Sequence, residues 1–390
     1  MAVAPFLAGS CGGSSGESSP RQEGALTAPS SPAVDARASP LPGDPFSLGV
    51  ASGDPRDDSV VLWTRLAPIP AEPLGGLADA EAVPVSWEVG SNPDLTTLVA
   101  HGTESALAQH AHSLRVVADG LEPGTDYWYR FNTSGHASPT GHFRTLPEGA
   151  DTFRVAVATC QAFYSGHYAA HRDLAETDVD LVVWLGDFIY EWSLPGITGR
   201  EHNRGECRTL DDYRERYAQY RGDPHLQAAS EAHAWIVLID DHEIVNDIAG
   251  STLEGNERRR ALAALTAWWE HQPTRLPRPT SERLLDPMYQ AVVVGDLARI
   301  STLDTRTNRT ALPCGTDITE QCDAALTTGG LLGDAQREWL DETLAGPDVT
   351  WDLIAQQVML SGFDISDGVI SSTAAGGRRR SRGSARTSLT

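Results

Sequence analysis

Between residues 45 and 146, apolar positions recur at every second residue in short runs. SVVLWTRL (59–66), VPVSWEV (83–89), SLRVVA (113–118) and DYWYRFN (126–132) alternate in this way, with Pro, Gly and Asp between them. A period of two puts successive side chains on opposite faces of a strand, and runs at this spacing predict an all-β sandwich. After Pro147-Glu-Gly149 the pattern changes. Solid apolar runs now alternate with windows of helical period: FRVAVAT (153–159), a helix from about His167, DLVVWLG (180–186), a helix over 210–220, AWIVLID (234–240) and a helix over 257–271. YQAVVVG (289–295), LARISTLD (297–304), a helix over 333–346 and TWDLIAQQVML (350–360) follow. Strands that are apolar throughout are buried on both faces, so this half predicts an α/β domain with a partly parallel sheet. Working groups in such sheets gather at the carboxyl ends of the strands.

The ends of the chain lack either period. Residues 1–42 are dominated by Ala, Gly, Ser and Pro, a composition that predicts a disordered leader. The opening MAVAPFLAGSC reads as the stub of an export signal with Cys11 as a lipid-anchor cysteine, or as an ordinary frayed terminus. No stretch approaches the ~20 apolar residues that cross a bilayer.

Composition narrows the chemistry. All 30 basic residues of this 390-residue chain are arginine. Without lysine, Schiff-base catalysis, a lysine general base and the P-loop lysine are excluded. A net charge of −23 at pH 7 argues against a nucleic-acid partner, because a polyanion is held by clustered cations. An acidic surface suits solubility or a requirement for divalent cations.

Three strand ends then concentrate the reactive side chains. The first carries Thr159-Cys160-Gln161, the second Gly186-Asp187-Phe-Ile-Tyr190-Glu191, and the third Asp240-Asp241-His242-Glu243 with Asn246-Asp247. Each has a plain structural explanation: a buried small cysteine, a Gly-Asp turn, and acids that open the next helix. Together they offer a thiolate, a phenolate, carboxylates, an imidazole and an amide oxygen at one sheet edge. Such a donor set suits a site of several cations, mostly hard, with one softer ligand for a transition metal.

These blocks, with Leu303-Asp304-Thr305-Arg306, Leu332-Gly-x-x-Gln336-x-x-Trp339-Leu340 and Trp351-x-x-Ile-x-x-Gln357-x-Met359, resemble the alkaline phosphatase D family of PhoD-like metallophosphatases over about 45–364. Within the leading sandwich, residues 119–131 also resemble the fibronectin type III signature, with Tyr127 as the corner tyrosine. The resemblance implies a fibronectin III-like β-sandwich over 43–147, followed over 151–364 by a calcineurin-like α/β/β/α domain. It implies a hydrolase of phosphate mono- and diesters acting through metal-activated hydroxide, with Fe3+ and Ca2+ as cofactors. Small phosphate esters would be its partners, and the protein would be a monomer, secreted or at the cell surface, although the export signal is not intact.

Carried over residue by residue, Asp187 bridges iron and calcium, Cys160 and Tyr190 complete the iron ligands, and Asn246 binds calcium. Asp241 takes a ligand position and a catalytic one. His242 is the candidate that stabilises or protonates the leaving oxygen. Arg204, Arg208 and Arg306 are candidate phosphate clamps, or surface ion pairs.

The family pattern also implies a later strand ending in Gly-Asp-x-His. The twelve histidines end at His271, and residues 365–390 turn to Arg, Ser and Gly. A frameshift or premature end is the more economical reading of that break, with a genuine basic tail as the other. On the first reading the metal shell is incomplete, retention weak and activity impaired, and the chain becomes at most a non-catalytic remnant with a binding module. The other reading frames past codon 364 would then encode the missing block. Cys314 and Cys322 flank a polar segment, and in an exported protein they are expected to form a local disulfide. Peptide mass spectrometry under non-reducing conditions should find them linked; two free thiols would contradict the pairing.

Overall fold

The computed structural model describes residues 41–77, 82–193, 199–284, 287–311 and 330–358. The expectations for Cys11, Cys314, Cys322, Met359, the leader to residue 40 and the tail from 365 lie outside these. The first half runs β1 (Val50–Gly53), β2 (Val60–Arg65), β3 (Ala82–Gly90), β4 (Leu98–Leu107), β5 (Ser113–Ala118), β6 (Asp126–Thr133), β7 (His136–Ala137) and β8 (Gly141–Arg144). The second runs β9 (Val155–Ala158), α1 (Ala169–Glu176), β10 (Leu181–Trp184), α2 (Leu210–Arg221), α3 (Pro224–Ala232) and β11 (Ala234–Val237). It continues with α4 (Gly255–His271), β12 (Gln290–Val294), β13 (Ala298–Thr302), α5 (Asp334–Leu344) and β14 (Trp351–Ala355). Every apolar run predicted above contains a strand and every helical window a helix. Strands β1, β4, β7 and β8 and helix α3 are additional.

Local chemistry sets several boundaries. Thr209 and Asp212 form a reciprocal capping box at the start of α2, and Asp211 and Asp212 favour its positive end. Asp223 caps α3, where Pro224 occupies the first turn and loses no helical hydrogen bond. At the start of β6 the Tyr127 hydroxyl accepts the Glu122 N–H at 3.0 Å, the bond a corner tyrosine makes.

The principal sheet has six strands in the order β5-β2-β1-β11-β10-β9. Strand β1 pairs in parallel with β11, Ser52 opposite Ala234, so the two halves of the sequence meet inside one sheet. Strands β11, β10 and β9 are parallel neighbours, whereas β2 and β5 run antiparallel beyond β1. A second sheet, β4-β3-β6-β7 with β8 on β6, covers β1, β2 and β5 through Val50, Leu62, Val85, Tyr129 and Phe131.

Under the parallel strands the layering is different. Val182, Trp184 and Trp235 on one face pack against Tyr213, Tyr217, Leu226, Leu265 and Trp268 of α2, α3 and α4. Leu181, Val183, Ile236 and Leu238 on the other face meet Val292 and Ile300 of the β12-β13-β14 sheet. Arg299, on the opposite face of β13 from Ile300, donates to the Thr343 and Pro347 carbonyls at the end of α5. The second half is therefore an α/β structure in which helices and a smaller sheet flank the parallel strands. Among the described residues no helix is long and apolar enough to cross a membrane.

One buried histidine ties this core to the strand ends. His171 of α1 stacks on Trp184 and Trp235, with ring centroids 5.6 and 6.0 Å away, and its Nε2–H donates to Gln161 Oε1 at 2.7 Å. Burial, with the Arg221 charge, pulls its pKa down to about 4 from the usual 6.5. The folded state thus holds it neutral while the unfolded chain takes up a proton below pH 6.5. Its contribution is complete above pH 6.5 and disappears as pH falls towards 4, by up to about 3 kcal/mol. Denaturant unfolding of wild type and His171→Gln at pH 7 and pH 4.5 should show a shallower loss in the variant. Equal losses would contradict this assignment.

Candidate metal centre

Strands β9, β10 and β11 are adjacent and parallel, so their carboxyl ends open on one edge. Main-chain bonds hold the turns that follow in register. The Cys160 N–H donates to Gly186 O and the Gln161 N–H to Asp187 O, both at 3.2 Å, and the Leu238 N–H donates to Trp184 O at 2.8 Å. Cys160, Asp187 and Asp247 sit at φ of 60°, 57° and 58°, the left-handed region that costs non-glycine residues about 1–3 kcal/mol each. Gly186 is at φ 106°, and a Cβ there would lie 2.2 Å from Asp240 N. Only glycine lets the second and third turns touch.

The turns converge on Asp187. Ligand atoms of buried Asp187, Asp241 and His242 all lie within 4.8 Å of one another. The Cys160 Sγ and the Tyr190 hydroxyl both donate to Asp187 Oδ2, at 3.4 and 3.0 Å. The other oxygen, Oδ1, accepts the His242 main-chain N–H at 3.4 Å. Asn246 joins less directly: its Nδ2 donates to Asp247 Oδ2 at 2.7 Å, and the Asp247 N–H donates to Asp241 Oδ2 at 2.6 Å. Cys160 sits exposed at the rim, with only its Sγ turned in against Asp187, unlike an ordinary core cysteine. The acidic run 240–243 does not open a helix, since α4 begins only at Gly255.

Three further residues complete the arrangement. Glu243 is fully buried, and its two oxygens accept the Phe188 N–H at 2.6 Å and the Asp240 N–H at 2.9 Å, tying the second turn to the third. Glu191 Oε2 accepts from His242 Nδ1 at 2.7 Å, and its Oε1 accepts the Asn246 N–H at 2.8 Å. Both glutamates stand in the motifs, yet nothing in their spacing tells which groups they touch. Arg306, buried, pairs through Nε with Asp240 and lies 3.5 Å from Asp241 Oδ2. Of the other arginines considered as clamps, Arg204 pairs with Asp212 and Glu215, and Arg208 with Glu206.

The electrostatics are those of negative charge crowded into a small dry volume. Burial, then the neighbouring Asp241, raises the Asp187 pKa to about 7. Burial and Asp187 push the Cys160 thiol up to about 11 and the Tyr190 phenol well above its usual range. For His242, burial would strip the proton, but the Glu191 hydrogen bond and the Asp187 and Asp241 charges together hold its pKa at about 9. A bound cation reverses this logic, favouring carboxylate, thiolate and phenolate at once. Two carboxylates, a phenol, a thiol and an imidazole around one point therefore fit a metal ion.

Known proteins match the chain over most of its length. The family model described as PhoD-like phosphatase matches residues 155–385, and that for the PhoD-like phosphatase N-terminal domain matches 31–147. The chain is 42% identical over 338 residues to alkaline phosphatase D of Bacillus subtilis (strain 168), covering 82% of this chain and 57% of that protein. A solved structure described as that of PhoD superposes with a TM-score of 0.80 at 39% identity, covering 85% of this chain and 66% of that one. The chain thus spans somewhat over half the length of the curated relative it matches. It belongs to the PhoD-like phosphatase family.

Proposed function

We propose that this chain is a metal-dependent hydrolase of phosphate mono- and diesters. The observation that carries this reading is the convergence of Asp187, Asp241 and His242 within 4.8 Å, with Cys160 and Tyr190 on the same Asp187 oxygen. Cys160, Tyr190 and Asp187 would hold Fe3+, and Asp187, Asn246 and Asp241 would serve Ca2+. When bound, such cations supply Lewis acidity: they lower the pKa of water and neutralise charge on the phosphoryl oxygens.

The chain's own residues do the rest. Asp187, fixed by its left-handed backbone and by bonds to both of its oxygens, sets where the phosphoryl group lies. His242 makes no side-chain bond through Nε2 among the described residues, so that nitrogen is the one available to substrate. As water adds to phosphorus the ester P–O bond breaks, its electron pair leaves on the alcohol oxygen, His242 Nε2–H supplies that oxygen's proton, and the proton lost by the water passes to solvent, from which His242 is reprotonated. Arg306 offsets the charge of Asp240 and Asp241 through Nε and Nη2.

Around this centre the reading assigns 43–147 to a fibronectin III-like sandwich that buttresses the sheet through β1, and 151–364 to the metallophosphatase domain. The protein would act outside the cytoplasm as a monomer on small phosphate esters. Hydrolysis of p-nitrophenyl phosphate should require added cations, be suppressed by a chelator, and fall by about 10³-fold or more in Asp187→Asn. Hydrolysis that ignores cations, or that survives in Asp187→Asn, would overturn the proposal.

A further inference from the structure

Two kinds of group surround His242. Asp187, Asp241 and Glu191 bring carboxylates, and Tyr190 and Trp192 bring aromatic rings whose centroids lie 4.2 and 4.7 Å from that of the imidazole. Tyr164, which follows β9, joins the aromatic set. Its ring meets Tyr190 edge-on at 6.0 Å, and its hydroxyl accepts the Trp192 indole N–H at 3.3 Å. A phosphate ester has the same two parts, a charged phosphoryl group and an organic one.

We propose that Trp192 is a specificity-determining residue: the open part of its indole receives the organic group of the ester, so the site favours phosphate esters of planar aromatic or heterocyclic alcohols over those of small aliphatic ones. The proposal rests on the reading given above, with the phosphoryl group at Asp187 and the leaving oxygen at His242 Nε2.

Three bonds hold Trp192 in place. Tyr164, 7% exposed, takes the indole N–H, while the Trp192 carbonyl accepts from Arg216 Nη1 at 3.1 Å and from His202 Nδ1 at 2.9 Å. Arg216 is fully buried and donates through the same Nη1 to the Tyr190 carbonyl, so one guanidinium fixes the backbone beneath both rings. Trp192 itself is nevertheless only half-buried. A tryptophan that served packing alone would hide its ring, as Trp184 and Trp268 do at 1% exposure each. One left in water without a role would be free to turn. A ring that is both held and partly open is pre-organised for contact, because little rotamer freedom is lost when a ligand covers it.

Bond lengths set the reach. A leaving oxygen that accepts from Nε2 lies about 3 Å from that nitrogen, and its carbon is one bond further on. With the indole centroid 4.7 Å from the imidazole centroid, an aromatic ring on that oxygen can lie offset or edge-on to the indole, within the roughly 4.5–7 Å at which aromatic pairs attract. A methyl group at the same oxygen offers the indole no ring.

Phosphonates test this without turnover, since they carry the organic group on carbon and have no ester bond to break. Calorimetric titration of the full-length chain supplied with iron and calcium should find phenylphosphonate bound about 3- to 10-fold more tightly than methylphosphonate. Trp192→Leu should still bind methylphosphonate and bring the two affinities within about 2-fold of each other, whereas Trp192→Phe, which keeps a ring, should retain most of the preference. Equal affinities in wild type would overturn the role of Trp192, and so would a preference that survives in Trp192→Leu. Loss of both ligands in Trp192→Leu would make the indole a structural prop and overturn the role as well. A cation-loaded wild type that binds neither phosphonate would overturn the phosphoryl site assigned above, and this proposal with it.

Discussion

Negative charge confined at the ends of three parallel strands is the constraint on which this structure turns. Asp187, Asp240 and Asp241 are all buried at adjoining strand ends, and an isolated buried carboxylate is among the costliest groups a fold can carry. Arg306 answers Asp240 and part of Asp241, and backbone N–H groups answer Glu243. Asp187 receives a thiol, a phenol and one long N–H bond, and the charge of neighbouring His242 offsets it only in part. A pKa raised to about 7 is the mark of that shortfall, and a cation is what removes it.

The scaffold is organised to keep those charges together. Left-handed backbone at Cys160 and Asp187 turns the side chains inward just where each strand ends, and Gly186 allows the second turn to lie against Asp240. Glu243 then ties the two turns from beneath. Aromatic packing of Trp184, Trp235 and His171 under the sheet stiffens the same strands. Strain at the edge is tolerated because the layers on both faces of the sheet over-determine it.

Much of this was legible in the sequence, for physical reasons. Strand β6 alternates half-buried and buried along its whole length, and a strand with one face in a core must show that period. Strand β4 is largely exposed, so nothing constrains its pattern. Strand β1 is four small or short residues whose place is set by pairing with β11, far along the chain. Helix α3 carries only the local signal of Asp223-Pro224 straight after α2. The strand-end rule exposed Cys160, Asp187, Asp241 and His242, because parallel topology alone brings such positions together. The roles of Glu191 and Arg306 depend on which atoms meet across 51 and 66 residues, and no local pattern records that.

The central claim is that Asp187 is the hub of a real cation site rather than a buried acid tolerated for structural reasons. Elemental analysis by inductively coupled plasma mass spectrometry, on protein purified without chelators and then dialysed, tests it most directly. Wild type is predicted to retain iron and calcium in fixed ratio to protein, and Asp187→Asn, folded to the same helix content, to lose the iron. A metal-free wild type, or an Asp187→Asn protein with its iron intact, would contradict the account.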